Sequence, residues 1–105
     1  MLSQTINLLT NADMSGTITS PSQALNISFG YSIQAIYSGS PSGIIKLQVC
    51  NDNYNFVDLA DSSITISSSG SWVWNVPEAM YLYTRVVYTP TTGSGSLSLI
   101  LTYKG

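Results

Sequence analysis

The side chains that could perform chemistry are few in this chain of 105 residues. Histidine is absent, which removes the most common general base, the usual orienting member of a catalytic triad and the commonest metal ligand. Cys50, the one cysteine, has no disulfide partner and no histidine to activate it, and it cannot complete a tetrahedral zinc site. We therefore expect Cys50 to be a small packed or half-exposed strand residue, and we expect no metal or other cofactor.

Five carboxylates remain as candidate acid–base catalysts: Asp13, Asp52, Asp58, Asp61 and Glu78. None is spaced so that an alternating strand would direct two carboxylates at one pocket, as glycoside hydrolysis requires. The oxygen-rich segment Asn51–Asn55 lacks the spacing and the later bidentate glutamate of a calcium-binding loop, and is typical of a turn held by its aspartate. The residue types therefore predict a protein that is not an enzyme.

Charged residues make up 8% of the chain, against about 25% in an average domain. The 18 serines and 10 threonines supply uncharged polarity instead. This balance indicates either a subunit whose surface is partly covered in an assembly or a Ser/Thr-rich β domain of extracellular type.

Basic residues number only three, Lys46, Arg85 and Lys104, and the net charge is -2. Binding to nucleic acid takes several phosphate contacts from lysine and arginine, so no nucleic-acid partner is expected. A polybasic membrane patch is absent for the same reason. No run of about 20 apolar residues and no basic N-terminal region before an apolar segment is present, so we expect neither a transmembrane segment nor a signal peptide.

The elements that would position these side chains are predicted to be short strands, because clusters of Gly, Pro, Asn and Ser recur about every ten residues. Two hairpins stand out. Ser32–Tyr37 and Ile44–Val49 flank a turn-rich loop at 38–43, and Tyr81–Thr89 is expected to pair with Leu97–Tyr103 across a loop at 89–95. The other predicted strands are Thr5–Leu9, Gly16–Thr19, Ala24–Ser28, Phe56–Leu59, Ile64–Ile66 and Trp72–Val76.

The predicted fold is all-β: an antiparallel, jelly-roll-like β-sandwich of 8–10 short strands that forms one domain over residues 1–105. Residues 1–13 are expected to act as an N-terminal arm that contacts a partner.

Aromatic side chains offer the most contact area to a partner, although about half of those on alternating strands should point into the core. Trp72 and Trp74 share one face of a strand, so either both are buried or both are available. Arg85 shares a face with Tyr81 and Tyr83. It should either anchor an interface, by stacking between aromatic rings or by gripping a carboxylate, or be an exposed sheet-face arginine.

Several short motifs together resemble a family of small proteins from phage and prophage structural regions. They are Ser32-Ile33-Gln34-Ala35, the run Lys46–Asp52 after Gly43, Trp74-Asn75-Val76, the run Tyr83–Thr89 and Thr92-Gly93-Ser94-Gly95. The segment Cys50–Phe56 is also similar to the Ser-Asn-Asp-Gly-x-x-Trp turn of discoidin-like, galactose-binding-like jelly rolls. It departs from that pattern at Cys50, Asn53 and Phe56. Asparagine tolerates the positive φ of the glycine position, and phenylalanine can replace the tryptophan.

This resemblance implies a virion structural protein. A chain that runs from Met1 to Gly105 without a tail shaft or anchor is expected to be a capsid decoration or cement protein on the capsid exterior. It would bind the major capsid protein as a homo-oligomer, with a trimer favoured, and stabilise the shell through multivalent contacts. The alternative is a carbohydrate-binding or host-adhesion module. The expected partner-interface residues are Leu2, Ile6, Leu8, Ser40, Pro41, Trp72, Trp74, Arg85, Pro90 and Thr91.

Overall fold

The computed structural model describes residues 3–25, 30–77 and 81–104, and every regular element in these ranges is a β-strand. All the pairings are antiparallel. This confirms the predicted all-β class. The strands are β1 (Ser3–Asp13), β2 (Ile18–Thr19), β3 (Gln23–Ala24), β4 (Gly30–Cys50), β5 (Val57–Asp58), β6 (Ile64–Ile66), β7 (Gly70–Val76) and β8 (Tyr83–Lys104).

The two longest strands, β4 and β8, pair along their whole length, from Gly30 opposite Lys104 to Cys50 opposite Tyr83. A straight strand of 21 residues would span roughly 70 Å at about 3.3 Å per residue. The longest dimension of the molecule is only 39 Å. The β4–β8 ribbon must therefore bend, and it carries one continuous sheet around a corner.

The bend divides the sheet into two layers. In the first layer, residues 97–104 of β8 pair with β1, and residues 30–37 of β4 pair with β7. In the second layer, residues 83–89 of β8 lie beside β2 and β3, and residues 43–50 of β4 lie beside β5 and β6. The inner faces of both layers share one hydrophobic core, so the predicted β-sandwich is confirmed. The jelly-roll strand order stays a prediction.

The corner itself is built from the two segments that the sequence predicted as hairpin loops, at 38–43 and 89–95. Both hairpin predictions are wrong, because these segments pair with each other instead of closing loops: Gly39 lies opposite Gly95, and Pro41 lies opposite Gly93. Gly39 and Gly93 adopt φ angles of 89° and 83°, which favour glycine. A Cβ atom on Gly93 would also collide with the carbonyl oxygen of Ser40. Glycine thus lets both strands bend at the same place.

Thr91 is an extra residue in β8 at this corner, since Ser42 pairs with Thr92 and Gly43 pairs with Pro90. An added residue moves all later side chains to the opposite face of a strand. The buried positions of β8 accordingly change from even to odd numbers: Thr84, Val86 and Tyr88 before the corner, and Leu97, Leu99, Leu101 and Tyr103 after it. Both halves of β8 therefore face the same core.

Leu97–Tyr103 does not pair with Tyr81–Thr89, as the sequence predicted, because the bend leaves them in different layers. It lies between β1 and the first half of β4. The predicted N-terminal arm is, over Ser3–Asp13, an edge strand of the first layer. Its contact with a partner stays a prediction.

Candidate binding surfaces

On the outer face of the first layer, no described charged side chain lies beside Gln34, Ile36 or Val73, and the one charged residue that the described register places on this face is Asp13, at the corner end of β1 opposite Ser96. Gln34 is at its centre, between Ile100 on β8 and Val73 on β7. Ile36 and Val73 are 40% and 53% exposed. Apart from Ile100 and Asp13, the other positions carry hydroxyl or amide groups, which cost less to remove from water than ions do. The described face consists of Thr5, Asn7, Asp13, Ser32, Gln34, Ile36, Ser38, Ser71, Val73, Asn75, Ser96, Ser98, Ile100 and Thr102.

The edge strand β7 pairs with β4 on one side, and no other described strand pairs with it. Trp74 and Trp72 lie opposite Ile33 and Ala35, so they share the inner face as predicted. The prediction that both tryptophans are buried or both are available is wrong, because Trp74 is 7% exposed and Trp72 is 43% exposed. The Trp74 indole N–H donates to the carbonyl oxygen of Ser62 at 2.8 Å, so the chain at Ser62 lies against the Trp74 ring.

The outer face of the second layer holds a connected polar cluster. Lys46 Nζ lies 3.0 Å from Asp58 Oδ2, and Gln48 Nε2 donates to Asp58 Oδ1 at 3.0 Å. Arg85 Nε donates to Gln48 Oε1 at 2.8 Å, and the guanidinium stacks 4.0 Å from the centre of the Phe56 ring. The hydrogen bond from Gln48, followed by that from Lys46, lowers the pKa of Asp58. Arg85 thus stacks on Phe56 of its own chain, and its predicted role in an interface stays a prediction.

The Asn51–Asn55 segment forms the predicted turn. Asp52 Oδ1 accepts the backbone N–H groups of Tyr54 and Asn55, each at 2.9 Å, and these bonds lower the pKa of the Asp52 carboxyl. Asn53 has a φ of 58°, as the glycine position of the related turn requires. The turn leaves Tyr54 85% exposed. It therefore presents a phenol ring beside amide and carboxylate groups.

The ten predicted interface residues divide by burial. Leu8 is 8% exposed, and Trp74 and Pro41 are buried as well, so these three side chains present little surface in the folded chain. Contact of the ten residues with a partner stays a prediction. Leu8 belongs to the core because β1 is part of the sheet, and Pro41 is packed in the corner. Ser40, Trp72 and Thr91 are exposed, and Ile6, Arg85 and Pro90 are half-buried. Leu2 lies outside the described residues.

Sequence reasoning missed several exposed apolar side chains. Ile36 alternates with the buried Ile33 and Ala35, so its even position could have placed it outside. Val73 stands between two tryptophans that face inward and could have been found in the same way. Further exposed apolar residues of the described chain are Ile44, Tyr54, Val57 and Leu82.

The described residues contain no group of three or more His, Cys, Asp or Glu that could hold a metal ion. Cys50 is buried and free at the end of β4, as a packed strand residue. Over the same ranges no helix has the length and apolar character needed to cross a membrane.

Three solved structures share this fold over almost the whole chain. The SPBc2 prophage-derived protein YomS is 15% identical, with a TM-score of 0.63 over 95% of this chain and 92% of its own. The PBSX exported protein XepA is 9% identical, with a TM-score of 0.70 over 97% of this chain. The matched region is 37% of XepA, so this chain corresponds to about a third of that protein. PirA is 15% identical, with a TM-score of 0.59 over 97% of this chain and 93% of its own.

No family model matches the sequence, and no curated protein matches it. At identities of 9–15%, the structural similarity establishes a shared fold.

Proposed function

We propose that this chain is a non-enzymatic structural protein of a phage particle that decorates the outside of the capsid and stabilises the shell. The observation that carries the proposal is the outer face of the first layer, where exposed Ile36 and Val73 lie among hydroxyl and amide groups and the described charge, Asp13, lies at the corner end of β1. The part of this face around Gln34 can be covered by another protein without desolvating a described ion. The proposed partner is the major capsid protein.

Binding to a repeating shell would act by multivalency. One flat sheet face of hydroxyls and two or three aliphatic side chains gives a weak contact, but several copies held on one lattice raise the effective concentration of each contact. The fold shared with a prophage-derived protein and a PBSX exported protein supports a phage context for this proposal. So does the resemblance of the sequence motifs to phage structural proteins.

The test is binding to heads of the encoding phage purified without this protein, measured as the amount that sediments with the heads. Gln34→Lys places a charge at the centre of the outer face of the first layer, on an exposed side chain. We expect its affinity to fall at least about tenfold, because a buried, unpaired ammonium costs more than about 1.4 kcal/mol. Thr65→Lys is the matched control on the exposed side of the second layer and should bind as the unmodified protein does. Equal binding by both variants would reject the proposed face.

Carbohydrate binding is the second candidate, and Tyr54 is the observation that favours it. Its ring is 85% exposed beside the Asp52-capped turn, which offers a stacking platform next to hydrogen-bonding groups. Trp72 is a second exposed platform, whereas Trp74 is buried. A glycan-array signal that Tyr54→Ala or Trp72→Ala abolishes, while Gln34→Lys keeps it, would establish this function. If no glycan on the array binds the protein, carbohydrate binding is rejected.

A further inference from the structure

The strand β7 ends the first layer with an uncharged edge. Gly70–Val76 contains no charged residue and no proline, and most of its residues are exposed. In an antiparallel pair, alternate residues direct their N–H and C=O groups to the partner strand, so β7 also directs such groups away from β4. An uninterrupted strand edge of this kind is a template for another strand.

The other described edges are unsuitable for the same pairing. β2, β3, β5 and β6 contain only two or three residues each. β1 is longer, but its register shifts between Asn7 and Leu9 and again between Leu9 and Ala12. Asn11, in the same strand, has a φ of 52°, which is not an extended backbone conformation. Bulges of this kind twist an edge out of plane and block addition of a strand. Among the described strands, β7 thus has the longest unbroken free edge.

The sequence of β7 is complementary to itself in the antiparallel direction. When the strand is aligned with a second copy so that all seven residues pair, Val73 lies opposite Val73 at the two-fold axis. Trp72 then faces Trp74 of the second copy on the inner side, and Ser71 faces Asn75 on the outer side. No like charges meet in this register, and Val73 and Trp72, which are 53% and 43% exposed, both gain apolar neighbours. Pro77, directly after the strand, has no N–H with which to extend the pairing.

We propose that two copies of this chain associate edge to edge through β7, with Val73 on the two-fold axis, to form one continuous sheet across both first layers. The contact is isologous, so it produces pairs and not rings. It joins the two outer faces into a single surface in which the residues of β7 at the junction carry no charge. The proposal goes beyond the capsid function, since the pair forms in solution whether or not a capsid is bound.

Cysteine crosslinking tests the register. Val73→Cys should form a disulfide-linked pair under mild oxidation, because the two-fold axis brings both sulfurs within bonding range. Ser71→Cys or Asn75→Cys alone should not crosslink, since each residue lies about 13 Å from its own copy in this register. An oxidised mixture of the Ser71→Cys and Asn75→Cys proteins should crosslink. The unmodified chain is the background control, because Cys50 is buried.

Sedimentation velocity over a concentration series tests the association itself. The unmodified protein should reach twice its mass of 11.3 kDa. Val73→Lys should remain a monomer, because it places two ammonium groups opposite each other. Ile36→Lys is the control on the same outer face one strand inward, and should still pair. A monomer at all concentrations, a trimer, or loss of pairing with Ile36→Lys would each overturn the proposal, as would failure of Val73→Cys to crosslink. Binding to phage heads is measured in a separate experiment, so a failure to bind heads would not change the crosslinking and sedimentation results.

Discussion

Replacing Trp74 by phenylalanine should destabilise the fold far more than the same replacement at Trp72. Both indoles lie on the inner face of β7, two residues apart. Only Trp74 is buried, and its N–H donates to the carbonyl oxygen of Ser62 at 2.8 Å. The comparison therefore isolates burial and one hydrogen bond, with chemistry, strand and face held the same.

The magnitude follows from two contributions. Trp74→Phe leaves the buried Ser62 carbonyl without this donor, which costs about 1–3 kcal/mol. The smaller ring also leaves a cavity, which adds about 1 kcal/mol. The expected loss is therefore about 2–4 kcal/mol for Trp74→Phe, against less than about 1 kcal/mol for Trp72→Phe, whose ring is 43% exposed.

Urea unfolding followed by far-ultraviolet circular dichroism measures both variants without relying on tryptophan fluorescence. The midpoint for Trp74→Phe should shift strongly at an unchanged slope, and that for Trp72→Phe should stay close to the unmodified protein. Equal losses for the two variants would refute the placement of Trp74 in the core. A larger loss for Trp72→Phe would refute it as well.

Two further predictions concern the core and the corner. Tyr88→Phe should leave the free energy of unfolding unchanged or raise it by about 1 kcal/mol, because the buried Tyr88 hydroxyl has no hydrogen-bond partner and burial raises its pKa. Tyr31→Phe should instead lower the free energy of unfolding by about 1 kcal/mol, since the Tyr31 hydroxyl donates to Thr84 at 3.2 Å. In thermal melts, a loss for Tyr88→Phe as large as that for Tyr31→Phe would contradict the assignment of Tyr88, and no loss for Tyr31→Phe would contradict that of Tyr31. Deleting Thr91 should prevent folding, because the deletion moves the core-facing side chains of β8 on one side of the corner to the outer face. Deleting Ser68, which lies in an exposed turn, is the control and should be tolerated. A cooperative melt of the Thr91 deletion near that of the parent would show that the extra residue does not set the register.

Local alternation was enough to predict much of the sheet. Ile33 and Ala35 alternate with polar residues, as do Leu97, Leu99 and Leu101, and all five are fully buried. The Asn51–Asn55 turn was also predictable, because an aspartate that bonds the next backbone N–H groups needs only neighbouring residues. These features depend on contacts that are close in sequence.

The corner was not predictable in the same way. Ser, Gly and Pro in 38–43 and 89–95 are equally typical of a hairpin loop and of a sharply bent strand. What distinguishes the two is the pairing of Gly39 with Gly95, which are distant in the chain and which no local pattern connects. One signal was present: the apolar positions change from even at Val86 to odd at Leu97, as a bulge within one long strand would require.

The surroundings of three candidate contact residues could not be predicted, because they depend on long-range pairing. Leu8 was expected on an N-terminal arm, but β1 pairs with β8, and this places Leu8 in the core. Pro41 was expected on a loop, but it is packed within the paired corner. Arg85 was expected either to anchor an interface or to be an exposed sheet-face arginine, and its guanidinium stacks on Phe56 of its own chain.

The few charged residues of the described chain are distributed unevenly over the two layers. Lys46, Asp58 and Arg85 lie together on the outer face of the second layer, where solvent can hydrate them. On the outer face of the first layer the described charge is Asp13, at the corner end of β1, and β7 carries none. A protein that only needed solubility would gain from charges along an open edge as well. The uncharged edge and its neighbours on β4 are instead what an assembly would require if it covers this part of the first layer and leaves the second layer in water.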